Sequence, residues 1–572
     1  MNIKEVLQNK YNNIANMLMH NSVTEINIQQ YVAKILDDFM KKHVNVAIYC
    51  GGYHTDRLFA DYVFELRNIK IIIDNNPSKK TDKGYKIISD DEIENNEIDG
   101  IIISTFRYRN EIIQLLEKKH SKINYLDIYG EIEKRGIKCT SEYYSDNPYE
   151  KYKEINEKSR EIKENGESEK ALTELLWCYL QIKDIRSAVL VAERLYKFRR
   201  CEINNKLLRE VKELFLALLE GVENIDKENI VLLCLDGFRR DAFESDYFKE
   251  VFECVSKRGC VYTNAYAYST STNESLLPAF SRDYKAGNRN QIEEEECQWI
   301  REAHKLGKII YAYTDSYQFI NDEKIHYTMH SQTITQKIWD FVIDSNDSIN
   351  NGKGVFYLHE LYESHFSFAN PYSTNEIEAK GTAMLFDFLP QNGGRLKVDY
   401  KQQYIDSIKY LNDTLSPILE RLKCRYLIFA DHGNMILEKG RCLENVQSQY
   451  YVAAEELLRI PFVVSTPEIK KGFDSTLLSL MDINDILVAM MNKRGFFVPK
   501  REYIRIGRNE LYNPCFRDLY NIAGKSRYLQ AFVGKIYGDG RKELEFSDGY
   551  RETWKNGFCG EELVAVYDKK TD

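Results

Sequence analysis

Two segments decide the fold: Ile230-Val-Leu-Leu-Cys-Leu235, which runs into Asp236-Gly237, and Tyr426-Leu-Ile-Phe-Ala430, which runs into Asp431-His432-Gly433. Both are unbroken apolar runs, which are typical of strands in a parallel sheet that is covered on both faces. Ligands of open parallel sheets gather at the carboxyl ends of the strands. We therefore expect the two acidic turns to meet at one edge of such a sheet.

Two carboxylates and an imidazole at one place favour a divalent cation. Facing carboxylates repel each other, or one of them keeps its proton, unless a cation lies between them. Oxygen ligands together with a histidine suit Mn²⁺, Zn²⁺ or Mg²⁺. Asp236, Asp431 and His432 are therefore candidate metal ligands. Taken singly, each has a plainer interpretation, since Asp-Gly is a common turn and a loop histidine can simply be hydrogen-bonded.

A third segment, Thr270-Ser271-Thr272-Asn273-Glu274-Ser275, is rich in hydroxyls and precedes an apolar helical stretch. Ser271 and Glu274 have the spacing of a capping box, so the hydroxyls can merely begin a helix. A threonine in the first helical turn also lies beside free backbone N–H groups, which favour an incoming tetrahedral anion. Contact with a metal would lower the pKa of its hydroxyl. The two interpretations are compatible, and the second makes Thr272 a nucleophile.

The length and composition predict several folded domains. At about 100–200 residues per domain, 572 residues correspond to about three. With 43% hydrophobic and 12% aromatic residues, the chain is not mainly disordered. The strand and helix patterns predict an α/β protein with these parts: an N-terminal helical segment (1–43), a small α/β domain (44–146), a helical linker domain (147–227) and a large α/β domain with a parallel-rich central sheet (228–572). Short strands at 502–506, 528–537 and 544–546 are expected to close the large domain.

The small α/β domain carries a Gly-Gly turn after its first strand. This strand runs into Cys50-Gly51-Gly52 and the second strand ends at Asp74, where a doubly wound sheet meets phosphate and ribose. The domain resembles Rossmann-like modules found beside transferases in bacterial surface-sugar gene products. Gly51, Gly52 and Asp74 are therefore candidate nucleotide ligands. The full GxGxxG fingerprint is missing, so a tight turn or a docking module without a nucleotide is an open alternative.

The linker domain shows one repeat-like pattern, Leu175-x3-Tyr179-Leu180-x3-Asp184-x3-Ala188. It is similar to one tetratricopeptide unit, and it predicts a helical hairpin. We expect this part to act as a spacer or a docking surface for a partner rather than to carry chemistry.

The motif order in residues 229–500 resembles the sulfatase-like branch of the alkaline phosphatase superfamily. The resemblance joins the Asp236 turn, the Thr272-x-x-Ser275 turn, the segment Tyr357-Leu-His359-Glu-Leu-Tyr-Glu-Ser-His365 and the late Asp431-His-Gly. It implies an alkaline-phosphatase-like fold in which one divalent metal is surrounded by Asp236, Thr272, Asp431 and His432. It also implies that Thr272 attacks phosphorus and that His365 holds the substrate oxygens or the leaving group. His359 ranks below His365, as a hydrogen-bonded histidine at a strand end.

Departures from the family pattern narrow the substrate. Sulfatases of this branch place Cys or Ser in Cys/Ser-x-Pro-x-Arg, which is oxidised to formylglycine, whereas this chain has Thr272-Asn-Glu-Ser275. Two-metal phosphodiesterases have Asp four residues before the motif histidine, where this chain has Leu361. The pattern is closest to phosphoethanolamine and phosphoglycerol transferases, which use a threonine and one metal. Arg239 and Arg240 are expected to be solvated charges at a helix start, with phosphate binding as the alternative.

Charge and targeting signals bear on partners and location. The net charge of −9 provides no global positive field that would draw the chain onto nucleic acid or anionic lipid. No apolar stretch reaches the length of a membrane span, and Met1-Asn-Ile-Lys-Glu5 opens a polar segment without a signal-peptide core. The 12 cysteines form no CxxC pair. We expect a cytoplasmic protein with reduced thiols, with its oligomeric state left open.

The expected function is metal-dependent transfer or hydrolysis of a phosphoryl-alcohol group through a phospho-threonine, in surface-glycan metabolism. The substrate would be a phosphodiester or sulfate-ester small molecule or glycan. The alternatives are a sulfuric ester hydrolase of the same fold, an inactive scaffold whose N-terminal domains bind a partner, and an NAD-linked enzyme in residues 44–140. The absent dinucleotide fingerprint counts against the last of these.

Overall fold

The computed structural model describes residues 3–18, 25–51, 54–55, 58–59, 62–66, 68–74, 85–106, 108–134, 148–315, 318–328, 331–365, 368–373, 399–436, 453–509, 530–555 and 562–567. The chain divides into two compact units. The large unit consists of residues 1–14, 151–328 and 332–572, and the small unit consists of residues 15–150 and 329–331. In the described ranges, no helix is both long enough and apolar enough to cross a membrane.

The small unit is built on a parallel sheet of five strands in the order β3-β2-β1-β4-β5. The strands are β1 (Val46–Tyr49), β2 (Ile71–Ile73), β3 (Lys86–Ile88), β4 (Gly100–Ile103) and β5 (Asn124–Asp127). The helices that begin the chain or belong to this region are α1 (Ile3–Met17), α2 (Glu25–Lys42), α3 (Val63–Leu66), α4 (Arg109–Lys119) and α5 (Ile128–Glu133). The strand order reverses direction between β1 and β4, so the ends of these two strands flank the crevice of the sheet.

Consecutive helices follow: α6 (Pro148–Asn165), α7 (Glu169–Gln181), α8 (Ile185–Phe198) and α9 (Glu202–Glu223). Their boundaries are set by capping side chains. Ser168 accepts a hydrogen bond from Ala171 N at 3.1 Å and begins α7, and Asp184 accepts one from Ser187 N at 3.0 Å and begins α8. From residue 151 onward these helices belong to the large unit.

The large unit is centred on an eight-stranded sheet in the order β12-β10-β13-β6-β14-β15-β7-β16. Its strands are β6 (Ile230–Leu235), β7 (Cys260–Tyr262), β10 (Ile309–Tyr313), β12 (Ile325–Thr328), β13 (Gly354–Glu360), β14 (Arg425–Phe429), β15 (Phe462–Ser465) and β16 (Gly472–Asp474). The run from β12 to β14 is parallel, and only β15 pairs antiparallel with its neighbours. This confirms the expected α/β fold with a parallel-rich central sheet.

Helices and short strands surround this sheet: α10 (Arg240–Phe243), α11 (Lys249–Arg258), α12 (Thr272–Ser281), α13 (Gln298–Lys305), α14 (Ile334–Ser345), α15 (Tyr400–Arg421), α16 (Glu455–Leu458), α17 (Ile483–Met491), β8 (Ala265–Tyr266), β9 (Ile292–Glu293), β11 (Ile320–Asn321) and β17 (Leu478–Ser479). Every residue of β6, β13 and β14 is buried, as the continuous apolar runs require. The middle of the sheet therefore forms the core.

An antiparallel sheet closes the chain, in the order β18-β19-β20-β21-β22. Its strands are β18 (Tyr503–Arg508), β19 (Phe532–Tyr537), β20 (Lys542–Phe546), β21 (Arg551–Lys555) and β22 (Glu562–Tyr567). The first three correspond to the strands expected from the sequence, and the last two were not anticipated. Lys542 of β20 is fully buried, where its Nζ lies 2.6 Å from Glu455 Oε1 and donates to Ala453 O at 2.8 Å.

Replacing Lys542 by Met is expected to destabilise the large unit by about 3–5 kcal/mol, because the buried Glu455 carboxylate loses a charge partner. The adjacent Arg541 is a matched control, since its ion pair with Glu543 is partly exposed and is worth no more than about 1 kcal/mol. Scanning calorimetry of both variants measures the difference. Equal losses in Lys542→Met and Arg541→Met would contradict the expectation.

Candidate active site

The two acidic turns lie side by side because β6 and β14 are parallel neighbours. Asp236 directly follows β6, Asp431 follows β14 by two residues, and both carboxylates are buried. Gly237 N donates to Asp431 Oδ1 at 3.0 Å, and Gly237 has a φ of +64°, which glycine adopts at little cost. The backbone of one turn thus holds the carboxylate of the other.

Thr272 lies at the same edge of the sheet. It is the first residue of α12, and its Oγ1 donates to Asp236 Oδ2 at 3.2 Å. The same oxygen lies 3.4 Å from His432 Nε2. The structure therefore brings together the four residues for which the sequence implied a metal: Asp236, Thr272, Asp431 and His432.

The ring orientation of His432 fixes its tautomer. Nδ1 lies 2.8 Å from Gly433 O, and because a carbonyl oxygen only accepts, Nδ1 carries the proton. Nε2 then faces the acids, 3.3 Å from Asp431 Oδ2 and 3.9 Å from Asp236 Oδ1. A ring held at one nitrogen by a backbone carbonyl, with its other nitrogen directed at carboxylates, is the arrangement of a metal-ligating histidine.

His359 is a further member of this group, although the sequence ranked it below His365. It lies on β13, the other parallel neighbour of β6, and its Nε2 is 3.1 Å from Asp236 Oδ2. The ring is fully buried, and neither nitrogen makes a hydrogen bond of good geometry to any residue that the structure describes. Asp236, His359 and Asp431 each offer a ligand atom, and these atoms lie within 4.8 Å of one another.

A buried lysine fixes the backbone that carries His359. Lys337 of α14 donates from Nζ to His359 O at 2.6 Å and lies 3.1 Å from Asp315 Oδ1. All three side chains are buried. The Lys337 side chain therefore fixes the end of β13.

His365 lies at the rim of the group. Its Nε2 is 4.0 Å from Asp236 Oδ1, and about a third of its side chain is exposed, at 34%. The two carboxylates and the other two histidines are buried, so His365 is the histidine of the set that a substrate can reach directly.

The two acids differ in their electrostatic surroundings. Burial raises the pKa of Asp236, but His365, His359 and His432 outweigh this effect and bring the pKa below its ordinary value. Burial and the facing Asp236 raise the pKa of Asp431. Such a split is what two carboxylates produce when they share one buried site.

The residues present fit a divalent cation. Asp236 Oδ1 and Asp431 Oδ2 are buried, and neither oxygen accepts a hydrogen bond within the described ranges. Unsatisfied buried carboxylate oxygens are costly, and a cation ligated by them would remove that cost. Two carboxylates with imidazole nitrogens suit Mn²⁺ or Zn²⁺, and Mg²⁺ suits the oxygen ligands.

A second acid–histidine group, Glu294, His304 and Asp322, is already compensated. His304 Nε2 lies 2.6 Å from Asp322 Oδ2, and Lys324 Nζ lies 3.6 Å from Glu294 Oε2. The buried group at Asp236 is therefore the better candidate for a metal site.

The capping box expected at the turn of Thr272 is not formed. Helix α12 begins where expected, but Ser271 makes no side-chain cap bond and instead donates to Glu274 Oε2 at 3.1 Å. Ser269 Oγ donates to the same oxygen at 2.9 Å, and Asn509 N donates to Glu274 Oε1 at 3.2 Å. Glu274 therefore ties the turn of Thr272 to the end of β18, a role that no local pattern indicates.

Arg239 and Arg240 are not the solvated charges that the sequence suggested. Both are buried. Arg239 pairs with Asp241 at 2.6 Å, whereas Arg240 pairs with Glu244 and donates to Tyr262 O at 3.2 Å. The folded chain covers these side chains, which local charge patterning does not reveal.

In the small unit, Gly51 N donates to Asp74 Oδ2 at 2.8 Å, so two of the three candidate nucleotide ligands meet. Gly52 lies outside the described residues. Near them, His54 Nδ1 lies 2.8 Å from Ser104 Oγ, and its Nε2 lies 2.6 Å from Tyr129 OH. Nucleotide binding at this turn stays a prediction.

No protein-family model and no curated protein matches the sequence. Among solved structures, the chain is similar to a 2-O GAG sulfatase, with 13% identity over 61% of this chain and 86% of that chain and a TM-score of 0.40. It is similar to a phosphonate monoester hydrolase from Silicibacter pomeroyi, with 13% identity over 60% of this chain and 89% of that chain and a TM-score of 0.40. It is also similar to the C-terminal periplasmic domain of the phosphoethanolamine transferase EptC from Campylobacter jejuni. The identity is 16% over 47% of this chain and 90% of that chain, and the TM-score is 0.35.

Proposed function

We propose that the chain is a metal-dependent enzyme of the sulfatase-like branch of the alkaline phosphatase superfamily. It transfers or hydrolyses a phosphoryl-alcohol group, of the phosphoethanolamine or phosphoglycerol type, through a phosphorylated Thr272. One observation carries the proposal: the Thr272 hydroxyl lies at a helix start, 3.2 Å from Asp236 Oδ2 and 3.4 Å from His432 Nε2.

Thr272 is oriented for attack by its surroundings. Its hydroxyl donates to the Asp236 carboxylate, which holds the oxygen at the edge of the sheet. The first backbone N–H groups of α12 have no partner within the helix and favour a tetrahedral anion in front of them. Both features direct a phosphoryl group toward Thr272 Oγ1.

Asp236, Asp431 and His432, joined by Thr272 and by the nearby His359, would hold the metal. When bound, the ion supplies Lewis acidity that lowers the pKa of the hydroxyl and offsets negative charge on the phosphoryl oxygens.

The reaction has two displacements. In the first, the Thr272 hydroxyl loses its proton to solvent and Oγ1 forms a bond to phosphorus while the bond from phosphorus to the departing alcohol oxygen breaks. His365, at the exposed rim, gives that departing oxygen a proton. In the second, an acceptor hydroxyl or water attacks phosphorus and gives its proton to His365, while the bond to Thr272 breaks and Oγ1 regains a proton from solvent.

We also propose where the protein acts, in which metabolism, and a second ligand. A cytoplasmic location, a role in surface-glycan metabolism and a nucleotide at the Gly51 turn rest on sequence patterns and on the closeness of Gly51 and Asp74. Intact-cell fractionation and ligand binding by the isolated full chain would test them separately from the chemistry at Thr272.

Incubation with a phosphodiester donor, followed by acid quenching, is expected to add the transferred phosphoryl group to the Thr272 peptide. Mass spectrometry of the digest measures this adduct. Thr272→Ala should abolish both adduct and turnover at a stability cost of about 1 kcal/mol, since a threonine at a helix start is replaced. Ser271→Ala is the control, because it removes the neighbouring hydroxyl only. Turnover by Thr272→Ala, or an adduct formed only with sulfate esters, would refute the phospho-threonine mechanism.

Metal binding is expected at the Asp236 group and not at the Glu294 group. Elemental analysis of the purified protein should give about one Mn or Zn per chain. Asp431→Asn should weaken binding by more than about tenfold, because a ligand oxygen is lost. Asp322→Asn changes the other acid–histidine group in the same way and should leave the stoichiometry unchanged. The reverse pattern would place the metal at Glu294, His304 and Asp322.

His359 and His365 should separate into a ligand and a substrate-binding residue. His359→Gln is expected to lower metal affinity, because the buried ring faces Asp236 at 3.1 Å. His365→Gln should leave metal affinity unchanged and lower turnover by about 100-fold or more, since 100-fold is the lower end of the range for a lost general acid. Calorimetric metal titration and steady-state kinetics on both variants distinguish them. Loss of metal in His365→Gln alone would contradict this assignment and would make His365 the metal ligand.

A further inference from the structure

The turn that carries His365 is wrapped around one buried carboxylate. Glu360 ends β13, and its Oε1 accepts hydrogen bonds from Tyr362 N, Glu363 N and Ser364 N at 2.8, 2.6 and 3.2 Å. Ser364 also contacts Glu360 Oε2 and lies 2.7 Å from Asp236 O through its Oγ. The residue before His365 is thereby fixed to the backbone of the Asp236 turn.

A second buried carboxylate links this turn to the helical segment. Glu363 Oε1 accepts from Tyr152 OH of α6 and from Ile334 N, the latter at 3.0 Å. Tyr152 and Glu363 are fully buried and lie 211 residues apart in the sequence. Burial and the nearby Glu360 raise the pKa of Glu363 well above its ordinary value. The contact therefore joins two groups that water does not reach.

A further contact from the same face of α6 holds the far end of the loop. Asn156, one helical turn after Tyr152, donates from Nδ2 to Asn370 O at 3.1 Å. The Asn370 side chain in turn donates to Ser407 Oγ at 2.9 Å and to Phe368 O at 2.9 Å. Helix α6 thus contacts the chain before His365, at Glu363, and after it, at Asn370.

We propose that α6 is part of the catalytic apparatus, in which Tyr152 and Asn156 are positioning residues that set the place of His365 through Glu363 and Asn370. This assignment gives the helical segment a role other than that of a spacer or a partner-docking surface. Its catalytic consequence rests on the proposed function, whereas the positioning of the turn is measurable without any substrate.

The proposal has a physical reason in the exposure of His365. The two carboxylates and the other two histidines are buried, whereas His365 is 34% exposed and lies 4.0 Å from Asp236. Its position therefore depends on the turn before it. A displacement of about 1 Å in a positioned group can cost about 100-fold in rate, so a small shift of this turn matters.

The test compares hydrogen exchange and kinetics in the metal-loaded full chain. Tyr152→Phe keeps the ring and removes the hydroxyl, and Asn156→Ala removes the second contact. Both should speed amide exchange in peptides within residues 354–365 by at least about threefold, the effect of losing one buried hydrogen bond. Both should lower kcat by about tenfold with little change in KM, and both should leave metal affinity unchanged.

Two controls separate positioning from general damage to the helices. Lys158→Met breaks the 2.9 Å ion pair between α6 and Glu174 of α7 and should leave exchange in 354–365 at the original level. Glu363→Gln keeps the acceptor oxygen for Tyr152 and should behave like the parent chain, whereas Glu363→Leu should behave like Tyr152→Phe.

Unchanged exchange in 354–365 for Tyr152→Phe and Asn156→Ala would overturn the proposal, as would an equal change in Lys158→Met. If the parent chain turns over no phosphodiester, the proposed function fails, and the exchange data still decide whether α6 positions the turn.

Discussion

Two carboxylates that cannot both be charged without a partner dominate this structure. Asp236 and Asp431 are buried at the ends of the neighbouring strands β6 and β14. Asp236 lies 3.1 Å from His359 Nε2 and Asp431 lies 3.3 Å from His432 Nε2, and each acid keeps one oxygen without a hydrogen bond in the described ranges. A cation among these groups would compensate the buried negative charge. Backbone groups hold two of these side chains in place: Gly237 N donates to Asp431, and Gly433 O accepts from His432. The candidate site is thus a consequence of where parallel strands end.

The sequence predicted the parts of the site that follow directly from strand and helix ends. Asp236, Asp431 and His432 each follow a continuous apolar run, and parallel strands necessarily bring such ends together. Thr272 was predicted by a hydroxyl-rich helix start. The parallel-rich sheet was predicted for the same reason, because alternating helices and buried strands allow few other arrangements.

Other features depend on contacts between distant residues and left no local signal. His359 ends a buried strand like many structural histidines, and only the order of strands in the sheet places it against Asp236. Glu274 has the spacing of a capping box, yet it accepts hydrogen bonds from Ser269 and from Asn509 at the end of β18. Arg239 and Arg240 carry charges typical of a surface, but the fold buries them beside acidic partners.

The sheet order also governs when the site can come into being. β6 lies between β13 and β14, and the bond from Gly237 to Asp431 spans 194 residues of sequence. Pairings of such long range form late, because a large loop must close before they stabilise anything. A nascent chain on the ribosome would therefore carry the threonine and the first acid long before the second acid emerges. The candidate metal group is therefore incomplete until β14 has been made and has paired with β6.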